Sequence, residues 1–166
     1  MDRQFDATLA SVAEKTLAEL AFVFSMPDEE AVRHVSSALV AASVDFSGPF
    51  SGSLTVGVSA NMLPAIASNM LGLDEGEGAA TPEQQRDALK ELANVVCGNL
   101  LPKVAGTEVV FKIDAPEVVD AGRLEEKSGA EPVSRIRLIL DEGRAEMALF
   151  VQGEVPALAG GGAPKK

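Results

Sequence analysis

The residues best suited to chemistry in this chain fall on one helical stripe: Asp87, Glu91, Asn94 and Gly98. An α-helix turns about 100° per residue. With Asp87 at zero, Glu91 lies at ~40°, Asn94 at ~340° and Gly98 at ~20°, an arc of roughly 60°. Leu89, Leu92, Ala93, Val96 and Leu100 gather at ~200°, so the stripe faces away from the core. A carboxylate and an amide three residues apart point the same way. Together they form a polar tip suited to insertion into another protein's site. Solvated acids on an exposed helix face are ordinary, and that reading accounts for Asp87 and Glu91 alone. Asn94 and Gly98 fit it less well. Asn costs some tenths of a kcal/mol relative to Ala in a helix interior, and Gly about 1 kcal/mol. An exposed glycine adds no packing in return, but it lets another surface approach the backbone closely.

The other reactive residue types offer less. The single cysteine, Cys97, lies toward the apolar flank of the same helix and reads as a small core residue rather than a nucleophile. The single histidine, His34, has no partner motif. One Cys and one His exclude a disulfide framework, a Cys-rich zinc site and a His-based metal cluster. Asp87 reads either as a solvated acid near the positive end of its helix or as a supporting contact to a partner. Asn99 points off the stripe and reads as structural or at its rim.

The elements that must position the stripe follow from periodicity. Residues 3–26 carry Phe5, Leu9, Val12, Ala13, Leu17, Leu20 and Phe24 at three- and four-residue steps, which predicts a helix ending before Pro27. In 36–59 the period changes to two. Val40, Ala42, Val44 and Phe46 alternate, as do Leu54, Val56 and Val58, on either side of Ser47-Gly48-Pro49-Phe50-Ser51-Gly52, predicting an antiparallel hairpin. Gly48 and Gly52 read there as turn geometry. Residues 60–71 predict a short helix capped by Ser59 or Asn61 and ended by Gly72, followed by an acidic loop over 73–80. Thr81-Pro82-Glu83-Gln84 is a capping box with proline at the first helical position. The helix it opens is predicted to run to about Leu101 and to close at Pro102. Val109–Ile113 reads as a strand, 114–132 as a polar connection, and 135–140 with 145–151 as a second hairpin around Asp141-Glu142-Gly143. Long helix then hairpin, long helix then strands, predicts an α+β domain over 1–153, with helices packed on one face of an antiparallel sheet. Residues 154–166 read as a flexible tail.

Composition narrows the function. The chain has 166 residues, 46% of them hydrophobic, enough for one domain with a sizeable core. It has no Trp or Tyr, and its net charge is −11. An aromatic platform for single-stranded nucleic acid and a basic nucleic-acid patch are both missing, and an anionic membrane surface is equally disfavoured. Charges throughout residues 1–25 and the lack of a long apolar run predict neither a signal peptide nor a membrane span, and so a cytoplasmic location.

Glu91-Leu-Ala-Asn94, followed by Val-Val-Cys-Gly98-Asn99, resembles the Glu-x-x-Asn signature of the CheC/CheX/FliY chemotaxis phosphatases, with CheX the most similar branch. The hairpin Asp45-Phe-Ser-Gly48-Pro-Phe-Ser-Gly52-Ser-Leu-Thr-Val-Gly-Val58 resembles the CheX hairpin. Asn69-Met-Leu-Gly72 resembles the segment that precedes its catalytic helix. The likeness spans roughly residues 5–152.

The resemblance implies a pseudo-symmetric α+β fold and an enzyme that dephosphorylates the phospho-aspartate of a CheY-like response regulator. Asn94 would orient the attacking water, Glu91 would pair with a lysine of the regulator, and Asp87 and Gly98 would lie in the docking surface. The Mg²⁺ would belong to the regulator, leaving this chain with no cofactor of its own. CheC-type members can carry a second Glu-x-x-Asn on the first long helix. Here that region reads Ser11-Val-Ala-Glu14-Lys-Thr-Leu17, with leucine at the asparagine position, which implies one catalytic helix per chain. Helix 1 is then left to pack on the domain or on a second protomer, and a homodimer is one open assembly. The alternative function is a non-catalytic module of the same fold that binds a signalling partner or dimerises. A relative serving the flagellar switch is the weaker expectation, because a chain this short carries no appended switch-type domain.

Overall fold

The computed structural model describes residues 3–26, 38–73, 80–140 and 143–152. His34, most of the acidic loop expected over 73–80, and the tail expected from 154 lie outside the described residues. The elements run α1 (Arg3–Ala21), β1 (Ser25–Met26), β2 (Leu39–Ser47), β3 (Ser51–Ser59), α2 (Leu63–Leu71), α3 (Pro82–Ala105), β4 (Lys112–Ile113), β5 (Glu117–Val119), β6 (Ser134–Leu140) and β7 (Arg144–Gln152). Short 3-10 turns cover Ala60–Met62 and Ala121–Leu124.

The hairpins β2–β3 and β6–β7 form as the alternation predicts, and they join through β3 and β7. The sheet runs β1-β6-β7-β3-β2-β4, with β5 also on β2 and every pair antiparallel. Period two then sorts the side chains. Val44, Leu54, Val56, Val58, Ile136, Leu138, Met147 and Leu149 meet the helices in one continuous core. α1 lies over β6, where the Ser134 hydroxyl bonds the Asp6 carboxylate, and α3 lies over β2 and β3. This is the α+β arrangement expected, with the helices layered on the sheet.

The structure corrects several local expectations. α1 ends at Ala21, not near residue 26. Phe22 turns into the left-handed region at φ 57°, Val23 N–H donates to the Leu17 carbonyl at 3.1 Å, and Ser25–Met26 joins the edge of β6. Phe24 is therefore exposed rather than in the core. The Asn69 amide donates to the Ala21 carbonyl at 2.8 Å, satisfying an acceptor at the helix end. Ser59 does not cap the short helix. Its hydroxyl accepts from Arg144 N–H at 2.8 Å instead, and the residue before α2 is Met62, with no side-chain cap. Gly72 ends α2 in the left-handed region at φ 69°, as expected.

Pro102 does not close α3, which continues to Ala105. A proline removes one ladder donor, but the last turn still closes because Gly106 N–H reaches the Pro102 carbonyl at 2.8 Å. Of the predicted strand 109–113 only Lys112–Ile113 pairs, and Val110 is exposed. The polar connection 114–132 contains β5 and the second 3-10 turn, whose Leu124 packs with Ala148 and Phe150 on the sheet face away from the main core.

Gly48 and Gly52 are required for close approach rather than for turn dihedrals, since neither has a positive φ. A Cβ on Gly48 would stand 2.7 Å from the Phe111 ring, and one on Gly52 would collide with the Phe150 carbonyl. Phe46, Phe50 and Phe111 pack edge-on there, with ring centroids 5.2–6.0 Å apart.

Candidate functional site

α3 is fixed at its start by the reciprocal bonds expected from its sequence. Gln84 N–H donates to the Thr81 hydroxyl at 3.1 Å, and Thr81 N–H donates to the Gln84 side chain at 2.9 Å. Its apolar side, Leu89, Leu92, Ala93, Val96, Cys97 and Leu100, is fully buried against the sheet and α1. Ala88 packs with Ala67 and Ala80 in a small cluster beside α2. With that side committed to the core, the stripe has to face outward.

The structure brings all four predicted residues to that outer face. Asp87, Glu91 and Gly98 are exposed and Asn94 is half-buried. Leu92 and Ala93, between the acid and the amide, are fully buried, so the backbone beneath the pair is rigidly seated. Among the described residues neither Glu91 nor Asn94 has a side-chain hydrogen bond or ion pair. Both keep their bonding capacity for something outside the chain. Asp87 differs: Lys90 Nζ lies 3.7 Å from its carboxylate, an exposed i,i+3 pair of small energetic weight. A Cβ built on Gly98 meets nothing within 4 Å, and its φ is not positive. No crowding at the Cβ position calls for glycine there.

Cys97 is buried and free, and burial pushes its thiol up to about 12. It is a core residue, as its place on the wheel implied. Leu17, at the position where a second asparagine would be needed, is 1% exposed and lies in the main core. α1 thus packs on the domain and offers no second stripe at that position. Asn99 bridges the two long helices, donating to the Thr16 hydroxyl at 3.4 Å.

Two features were not anticipated. Ser11, Lys15, Thr16, Gly98, Asn99 and Lys103 line a groove of about 500 Å³ between α1 and the C-terminal half of α3. Its walls are some 80 residues apart in sequence, so no local pattern signals it. The second is Glu146, buried on β7, with Arg135 and Arg144 each 2.8 Å from its carboxylate. Period two places Arg144 and Glu146 on one face of a strand; only the pairing of β6 with β7 brings Arg135 to them. Burial raises the carboxyl's pKa, but hydrogen bonds and charge from both guanidiniums outweigh it and hold Glu146 below its usual 4.5.

A sequence model of the chemotaxis phosphatase CheX matches residues 40–136, which include the first hairpin and all of α3. The chain belongs to the CheX family. The solved structures agree in fold. The chain superposes on a CheX from Desulfovibrio desulfuricans with TM-score 0.64 and 16% identity, covering 90% of this chain and 99% of that one. A CheX from Vibrio vulnificus gives 0.63 and 18%, covering 89% and 96%. The CheX of a CheX–CheY–BeF3–Mg²⁺ complex from Borrelia burgdorferi gives 0.61 and 16%, covering 89% and 97%. No curated protein matches the sequence. At these identities the structural likeness speaks for the CheX fold, and the roles of single residues rest on the geometry above. No helix among the described residues is long and apolar enough to cross a membrane.

Proposed function

We propose that this protein removes the phosphoryl group from the aspartate of a CheY-type response regulator, presenting the outer face of α3 to the regulator's site. The observation that carries this reading is the pair Glu91 and Asn94, without a side-chain partner among the described residues and outward-facing on a helix whose other side is buried in a CheX-family domain. A relative of the same fold was captured with CheY, BeF3 and Mg²⁺, which supports a regulator as partner.

The division of labour suits phosphoryl transfer, which needs mainly positioning and electrostatic stabilisation. Asn94 is uncharged, so it approaches a phosphoryl group without repulsion, and its amide offers a donor and an acceptor to align a water. Glu91, one turn earlier on the same stripe, is placed to pair with a lysine of the regulator and so fix the register of docking. The Mg²⁺ that neutralises developing charge would come with the regulator. The chain then contributes a wedge, and the active site is complete only in the complex.

The test is phosphate release from a phosphorylated, Mg²⁺-loaded CheY-type receiver. Asn94→Ala, which leaves the buried side of α3 intact, is expected to fold and bind but to lose about 100-fold in rate. Equal rates for wild type and variant would exclude the catalytic reading. Receiver binding without accelerated release would favour a non-catalytic module of the same fold.

A further inference from the structure

The groove between α1 and α3 is not assigned by the roles given to Glu91 and Asn94. It is polar: Ser11, Thr16, Asn99 and Thr107 line it, with Lys15 and Glu19 on the α1 wall and Lys103 on the α3 wall, two cations against one acid. Both lysines are exposed, and neither has a carboxylate partner among the described residues. Of the other described lysines, Lys90 pairs with Asp87 and Lys127 with Asp45, while Lys112 lies apart on β4. Two unpaired ammonium groups facing one trough are notable in a chain of net charge −11.

The groove is continuous with the stripe. Gly98 belongs to both, and no side chain rises between Asn94 and the trough at that position. Distance along the helix sets what must happen on docking. A helix rises about 1.5 Å per residue, so Lys103 lies roughly 14 Å along the axis from Asn94. A standard interface covers about 800 Å² on each partner, a patch roughly 15 Å in radius. A partner centred on Asn94 therefore overlies the groove.

We infer that the α1–α3 groove is the second half of the docking surface and receives an acidic segment of the response regulator, held by Lys15 and Lys103. This rests on the proposed phosphatase reading and adds a second point of attachment to it. The electrostatic reason is direct. A strongly acidic chain must approach a partner whose reacting group is itself anionic, and that repulsion slows encounter. Two cations beside the wedge, opposed within the groove only by Glu19, offset that repulsion where the surfaces meet. Rim charges of this kind act mainly on association and on salt dependence. The lysines are accordingly positioning residues and touch no reacting atom.

The experiment compares wild type, Lys15→Glu/Lys103→Glu, the milder Lys15→Ala/Lys103→Ala, and Lys112→Glu, a control away from the groove that changes net charge as much as the alanine pair does. Turnover of an acetyl-phosphate-charged, Mg²⁺-loaded CheY-type receiver is measured at low and high salt, and thermal unfolding and sedimentation are followed in parallel. The double reversal is expected to raise KM about tenfold at low salt with kcat unchanged, the alanine pair to raise it less, and high salt to shrink both effects. Lys112→Glu should match wild type. Wild-type turnover with an unchanged KM in both double variants would overturn the groove while leaving the phosphatase reading intact. A change in oligomeric state in place of a change in KM would also overturn it, making the groove a contact between copies. Absence of both turnover and receiver binding by wild type would overturn both proposals.

Discussion

Gly98→Ala separates what the chain needs from what a partner needs. Gly98 sits inside α3 with a helical φ, and the space where a methyl would stand is empty to 4 Å. Alanine therefore fits without strain and should recover the helix-propensity difference of about 1 kcal/mol. For a chain of 166 residues that is a rise in Tm of roughly 2–4 °C. One structural role for the glycine competes with this. Pro102 lies four residues on, where its ring crowds the carbonyl of residue 98, and a flexible glycine could absorb the clash. If it does, the alanine variant loses stability instead. Docking predicts the opposite sign in activity. A methyl forced into a packed interface costs about 1–3 kcal/mol, or roughly 5- to 150-fold in affinity. The assay is thermal unfolding alongside KM for receiver dephosphorylation. A variant that is both more stable and weaker toward the receiver bears out the reasoning. A variant that is more stable and equally active would refute the claim that Gly98 lies under a partner. A less stable one would refute the claim that the chain itself does not need glycine there, and would assign it to the Pro102 clash.

Three further outcomes follow from the same geometry. Glu146 binds its proton less tightly in the folded chain than in the unfolded one, so its stabilisation is complete above about 4.5 and is lost as pH falls through the lower folded value; the difference between acid-unfolding curves of wild type and Glu146→Gln should show that loss, whereas Glu146→Ala at neutral pH should cost roughly 3 kcal/mol by removing the carboxylate that Arg135 and Arg144 share. Cys97, buried and with its thiol pushed up to about 12, should react with a thiol reagent only as fast as the chain unfolds, and native-state labelling on the minute scale would contradict its core placement. Gly52→Ala, whose Cβ would collide with the β7 backbone and the Phe46 ring, should destabilise by about 3 kcal/mol in denaturant titration, although the same substitution at Gly98 stabilises.

The candidate site could be read from sequence because it is local. Asp87, Glu91, Asn94 and Gly98 share one helix whose cap, Thr81 to Gln84, and whose apolar period are both written within 24 residues. The hairpin β2–β3 is local in the same sense, with two alternating runs closed by one turn. The misread elements depend on distant partners. α1 stops at Ala21 because Phe22 enters the left-handed region while Asn69 and the edge of β6 take up the chain that follows. β5 is three residues long and exists only because β2 accepts it. Gly48 and Gly52 looked like turn residues, but the crowding that requires them comes from Phe111 and from β7.

By itself, then, the sequence determined the periods, the cap and the outward stripe, because helix and hairpin geometry act over a few residues and bury whichever side is apolar. Tertiary structure alone decided where α1 and α3 leave a groove, which two arginines hold Glu146, and that nothing within the described chain fills the space above Gly98. These are contacts between segments dozens of residues apart. They are set by the register of β6 on β7 and by the packing of two helices on one sheet, and no local pattern encodes them.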